Sequence, residues 1–312
     1  MTLLLTLFSF FGRYASYTLP AGVLVGIVLP QLASYLNSFL LPALLVPLSL
    51  SLVRIKTDEL IRSFKNWRLV LFLSLWVLII CPFIVYLLLM PLNLSMPIQM
   101  ASIIAAAAPP VTACAAIAIF LRINASIAVV ITVVTMLFVP LSFPLILKYF
   151  VLLEVTVELW QLSLRLSVFI LTAFVLATIL KKILGTQRIE SFSSILDGVS
   201  VIFITIFTIG VMNGVTSLFF QKPYFVLLTL LVSTLLVLFL YILSTFVFWR
   251  FGPNKAMAIG LCCGNFNLGL MYLVLIDEAP LDLLIFFGIG QIPMYSLPTL
   301  LLPLVKRLNE NK

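Results

Sequence analysis

The side chains of this 312-residue chain that could do chemistry are few, and most are uncharged. There is no histidine, which removes imidazole metal sites, Ser-His triads and histidine proton relays together. The four cysteines, Cys81, Cys114, Cys262 and Cys263, lie inside apolar runs with neither a zinc spacing nor a disulfide pattern, and read as buried thiols with no metal centre. Hydroxyls and amides remain: Thr132, Thr135, Asn213, Thr216, Ser217, Asn265, Asn267, Gln291 and Tyr295. Thr and Ser commonly bond the carbonyls of their own helix. An amide unpaired in hydrocarbon costs several kcal/mol, so the Asn and Gln residues carry more meaning. The acids Glu154, Glu158, Asp277, Glu278 and Asp282 fall in loops or at helix ends and read as solvated, and Arg165 reads as snorkelling to the nearer interface. With no nucleophile beside a base and no intramembrane Asp pair, the chain does not read as an enzyme.

Two stretches disturb their helices in a matched way. Ala105-Ala106-Ala107-Ala108-Pro109-Pro110-Val111-Thr112-Ala113-Cys114 holds successive prolines, which remove two backbone donors and clash with the preceding turn. Gly260-Leu261-Cys262-Cys263-Gly264-Asn265-Phe266-Asn267-Leu268-Gly269 holds three glycines and two asparagines, all poor helix formers. Backbone groups freed inside a membrane must meet protein, water or ligand. The pair of breaks is therefore the place to expect a substrate or ion site.

The elements that position these residues follow from composition. At 63% hydrophobic and 9% charged the chain is no water-soluble globule, and it has room for about ten spans of about 20 residues. Pro, Gly and charge punctuation places them near 15–34, 37–53, 69–90, 97–121, 125–147, 163–181, 198–218, 224–249, 255–276 and 283–304. Met1 to Phe11 lacks a basic start and a cleavage pattern, so it reads as a leading helix ending at Gly12-Arg13 and not as a signal peptide. With both termini cytoplasmic, 15 of the 18 Lys and Arg fall on the inner side, leaving Lys148, Arg165 and Lys222 outside. The net charge of +8 thus reads as helix anchoring in the lipid bilayer of a plasma or bacterial inner membrane, not as nucleic-acid binding. Five spans per half predict an inverted repeat, 15–148 and 163–304, with the breaks in the fourth and ninth helices. The whole of 1–312 reads as one integral membrane domain with no obligate protein partner.

At these residues the sequence resembles the bile acid:sodium symporter family over nearly its whole length. The resemblance runs through Phe8 to Tyr14, Leu50 to Lys65 and Pro82. Pro109 to Cys114 with Arg122-Ile123-Asn124 is similar to the family's Pro-Gly-Gly-Thr-Ala-Ser-Asn…Gly-Asn segment, and Ala258-Ile259-Gly260…Gly264-Asn265 to its Glu…Gln-Asn segment. It implies two discontinuous helices that cross within a core domain, a panel domain beside it, and a substrate cavity between the two. It also implies two bound sodium ions. Position by position, the sodium-ligating residues fall on Cys114, Ala115, Ala128, Val77, Gly260 and Gly264, which leaves Thr132, Asn265 and carbonyls as remnants. Sodium prefers hard oxygen ligands, which a thiol or a methyl cannot replace.

The expectation is an all-α, ten-span secondary transporter that moves a small organic solute, an organic anion by resemblance, by alternating access and independently of sodium. Its substrate would meet Pro109, Pro110, Thr112, Cys114, Gly264, Asn265, Asn267 and Gln291, with half-helix N-termini favouring an anionic group. Two alternatives are a carrier of the auxin-efflux type and a non-transporting sensor or scaffold that keeps the fold.

Overall fold

A computed structural model describes residues 15–55, 66–151, 159–297, 300 and 303. Outside them lie the leading segment Met1 to Phe11 with Arg13, the basic residues Lys56, Arg62 and Lys65, the acids Glu154 and Glu158, and Lys306, Arg307 and Lys312. Among the described residues every element is helical, and the one β feature is an isolated bridge. In chain order the helices are α1 (Ala15–Val28), α2 (Pro30–Asn37), α3 (Leu40–Val53), α4 (Trp67–Leu75), α5 (Cys81–Leu89), α6 (Met96–Ala107), α7 (Cys114–Phe120) and α8 (Ala125–Phe150). There follow α9 (Leu159–Leu184), α10 (Thr186–Ser191), α11 (Ser193–Gly210), α12 (Val215–Gln221), α13 (Pro223–Val247), α14 (Pro253–Gly264), α15 (Leu268–Leu275) and α16 (Leu281–Ile289).

Five helical stretches are long and apolar enough to cross a membrane: Trp67–Leu89, Ala125–Phe150, Leu159–Leu184, Ser193–Gln221 and Pro223–Val247. This is an all-α membrane protein. The other apolar stretches are shorter or interrupted, which is what their prolines and glycines impose. Three differ from the sequence reading. The span expected over 15–34 is two helices bent by 108°, because Leu29, ahead of Pro30, leaves the helical region with φ −116° and ψ 73°. The span expected to begin at residue 37 begins at Leu40, after a turn at Ser38 and Phe39. The helix expected over 198–218 is interrupted at 211–214, where Gly214 takes φ +85°.

The chain divides into two compact units, each drawn from both halves of the sequence: Met1–Ile55 with Val168–Val226, and Lys56–Ser167 with Leu227–Lys312. In the first unit α11 packs against α1, α2 and α3. Gly22 and Gly26, four apart on α1, let its backbone approach α11 so closely that a Cβ on Gly26 would lie 2.7 Å from Ile209 O. Asn37 Nδ2 donates to Gly210 O at 3.2 Å, Arg54 pairs with Asp197, and Lys181 Nζ donates to Ile55 O at 3.0 Å.

The second unit holds both breaks. Between α4 and α5 the helix widens into one π turn, Trp76–Ile80, immediately before Cys81-Pro82. A wider turn accommodates the proline ring and its missing donor without ending the helix. Trp76, at that turn, donates from Nε1 to Ser244 Oγ at 2.9 Å and meets Phe248 edge-on. In α8, Pro144 cannot donate to the carbonyl of Pro140, and Ser163 Oγ donates to that carbonyl instead. The helix runs through both prolines.

Candidate functional site

The two breaks meet. After α6 the chain turns extended at Ala108 (φ −71°, ψ 145°), as a residue before proline must, and helix resumes only at Cys114. After α14, Asn265 (φ −105°, ψ 67°) and Asn267 (φ −79°, ψ 75°) flank Phe266, and helix resumes at Leu268. Val111 N–H donates to Asn265 O at 2.8 Å and Asn267 N–H to Pro109 O at 2.7 Å, closing an antiparallel bridge between Pro110 and Phe266. Each break therefore supplies a backbone partner for one N–H group that the other leaves free.

The side chains around this bridge divide into engaged and unengaged groups. Asn267 caps α15, its Oδ1 accepting from Leu270 N–H at 3.1 Å. With Leu268 N–H on Phe266 O at 2.9 Å, the first turn of α15 is largely occupied, so the partial positive charge expected there for an anion is mostly taken up by the protein itself. Cys114 Sγ donates to Asn265 O at 3.7 Å and Cys262 Sγ to Ala128 O at 3.9 Å. Pro109 and Pro110 are buried, and Thr112 is half-buried in the turn before α7.

Of the residues the sequence singled out, three keep buried side-chain atoms with no hydrogen-bond partner. Asn265, 2% exposed, leaves Nδ2 unpaired, and Thr132, on α8, leaves its hydroxyl unpaired. Gln291, fully buried, leaves both Oε1 and Nε2 unpaired. Its neighbour Gly290 sits so close to Leu268 that a Cβ would lie 2.7 Å from that side chain, which brings the start of 291–297 against the resumption of α15.

Gly264 belongs to packing. A Cβ there would meet Val237 O at 2.8 Å, and one on Gly260 would meet Tyr241 O at 2.5 Å as well as Thr245. Gly260 and Gly264 are four apart, so together they let α14 lie against α13, as small residues do between membrane helices. The place where the resemblance sets a glutamate is thus filled by α13. The sequence reading did not single out α13, yet Thr229, Ser233, Val237, Tyr241 and Thr245 recur every four residues along it. The hydroxyls of Thr229, Tyr241 and Thr245 are buried without partners. That spacing was the available signal.

Thr135 bonds the carbonyls of Ile131 and Thr132, and Ser217 that of Gly214, as expected of hydroxyls in helices. Thr216 donates to Ile27 O at 2.5 Å, joining α12 to α1. Arg165 does not merely snorkel. It pairs with Glu278 at 3.0 Å and approaches Asp277 at 3.9 Å, so these acids are partnered as well as solvated. Among the described residues no group of three or more His, Cys, Asp or Glu side chains could hold a metal ion.

Neither the protein-family models nor the curated proteins contain a match to this chain.

Proposed function

We propose that the chain is a secondary transporter of the bile acid:sodium symporter type that carries a small organic solute by alternating access without sodium. In this reading the ten spans form two inverted repeats, 15–148 and 163–304, with both termini cytoplasmic. The unit containing the bridge is the core, and the unit built on α11 is the panel. The observation that carries the reading is the pair of broken helices joined backbone to backbone beside amides with unspent hydrogen-bonding capacity. A purely structural kink has no use for Gln291 and the Asn265 amide group buried without partners, because each such group costs about 1–3 kcal/mol. A solute that offers both an acceptor and a donor would recover that cost.

Sodium independence is supported by Gly260 and Gly264, whose side-chain space α13 already occupies, and by the thiol of Cys114. The test is flux into proteoliposomes, with taurocholate and a series of smaller labelled carboxylates as probes, in sodium and in choline. The expected result is saturable uptake of at least one probe, equal in the two salts. Uptake driven only by a sodium gradient would overturn the uncoupled mechanism. Saturable binding without flux would overturn transport itself and favour the sensor reading.

A further inference from the structure

Four cations gather at one end of the second unit, and the contacts beneath them fix the gathering. Arg68 and Phe72, four apart, share a face of α4, and the Phe72 ring meets Phe248 with centroids 5.8 Å apart. Phe248 also meets Trp76 at 5.2 Å and Phe251 at 5.9 Å, so the turn Trp249–Phe251, which carries Arg250, is joined to α4 through that ring. After Gly252 the chain enters α14, with Lys255 in its first turn. Asn124 N–H donates to Asn254 O at 3.3 Å, which ties the turn bearing Arg122 to the neighbour of Lys255. All four cations are exposed, and among the described residues none of them is in an ion pair. Of the described acids of this unit, Asp277 and Glu278 face Arg165, and Asp282 opens α16. Three helices, α4, α8 and α14, begin at this end while α7 and α13 finish there. The helix dipoles thus largely offset, and the side chains leave a positive surface.

The same end is aromatic, and its flanks are apolar. Trp67, Trp249 and Phe251 are exposed, and Arg68 Cζ stands 5.6 Å from the Trp67 ring centroid. Trp beside Lys and Arg is the composition of a membrane–water boundary. About a turn away along the chain, Leu71 and Leu75 on α4 and Phe246 on α13 are exposed as well, Phe246 by 79%. Arg122 adds a separate sign. It holds φ 58°, where glycine would be unstrained, and strain of this kind persists where a side chain has a use. We infer that Arg68, Arg122, Arg250 and Lys255 bind the headgroup of an anionic phospholipid, with its acyl chains along the exposed flanks of α4 and α13. Guanidinium forks match phosphate oxygens two at a time. A phosphate free in solution has no use for the apolar flanks, and a zwitterionic lipid brings its own cation to a surface that already has four. The site stands whether or not a solute crosses the protein.

The experiment titrates the delipidated full-length protein, in neutral detergent, with dioleoylphosphatidylglycerol, dioleoylphosphatidylcholine or glycerol 3-phosphate. Native mass spectrometry reads binding, and the melting temperature reads stability. Saturable retention of phosphatidylglycerol is expected, with a raised melting temperature, and neither effect from the other two probes. Removing one cation should weaken retention about fivefold, and Arg250→Gln/Lys255→Gln about twenty-fivefold. Lys148→Gln/Lys222→Gln, which removes the same charge elsewhere, should keep it. Arg122→Gly separates binding from folding: it relieves the backbone, so the lipid-free protein should melt higher while retaining phosphatidylglycerol less. Equal retention of phosphatidylcholine would overturn the inference. So would unchanged retention in a folded Arg250→Gln/Lys255→Gln variant, an equal loss in the Lys148/Lys222 variant, or glycerol 3-phosphate binding as tightly as the lipid.

Discussion

In the proposed transporter, Gln291 puts function and stability in opposition at a single residue. Its amide is fully buried with no partner, so replacing it by an apolar side chain of similar volume removes an unmet demand. Gln291→Leu is expected to leave the melting temperature unchanged or raised. On the proposed function, the same change would delete about two hydrogen bonds to a bound solute, about 2 kcal/mol or roughly thirtyfold in affinity. Uptake should fall by that order. A variant that lost stability while transporting normally would make Gln291 a structural residue. Asn267 tests the converse, because its side chain caps α15. Asn267→Ala should destabilise by about 1 kcal/mol, visible as a lower melting temperature, with substrate affinity following only as far as the fold does. Arg122 marks a third local decision. It alone among the described non-glycine residues has a positive φ, 58°, where α7 ends with Ile123 N–H on Ala118 O at 2.9 Å, a turn that glycine would make without strain.

Prolines show at the scale of elements what local chemistry leaves open. Pro109-Pro110 breaks a helix, Pro30 accompanies a sharp bend, Pro82 follows a π turn, and Pro140 and Pro144 lie within an uninterrupted α8. A proline always frees the carbonyl four residues back. Whether the helix then continues depends on what reaches that carbonyl, and for Pro144 it is Ser163, brought by another helix. Glycines behave likewise. Gly260 and Gly264 were legible as helix weakeners, but their close approach to α13 was not, because it depends on which helix lies opposite. Filling either position should force α13 and α14 apart at a cost of about 1–3 kcal/mol. Gly260→Glu is therefore expected to lower the melting temperature and to confer no sodium response. A sodium-dependent stabilisation of that variant would show that the space is more accommodating than α13 allows.

For the whole molecule, the decisive comparison is thermal stability in sodium against choline at equal ionic strength. A ligand at a hundred times its Kd would stabilise the folded state by about 2.7 kcal/mol, a shift of several degrees at most. None specific to sodium is expected, since at the positions where the resemblance sets sodium ligands only Thr132, the Asn265 side chain and main-chain carbonyls remain. A saturable shift would restore sodium binding. What the sequence alone determined was the solvent, the helical class and the positions of both breaks, Ala105 to Cys114 and Gly260 to Gly269. Those depend on hydrophobicity and on backbone donors removed or left unconstrained, which are properties of each residue and its near neighbours. Only the tertiary structure decided that Val111 pairs with Asn265 and Pro109 with Asn267, and that the chain forms two units each drawn from both halves. It likewise separated Asn267, which is spent on a cap, from Asn265 and Gln291, which keep unused capacity. The partner of a buried polar group comes from residues distant in the chain, so its satisfaction cannot be read from local sequence.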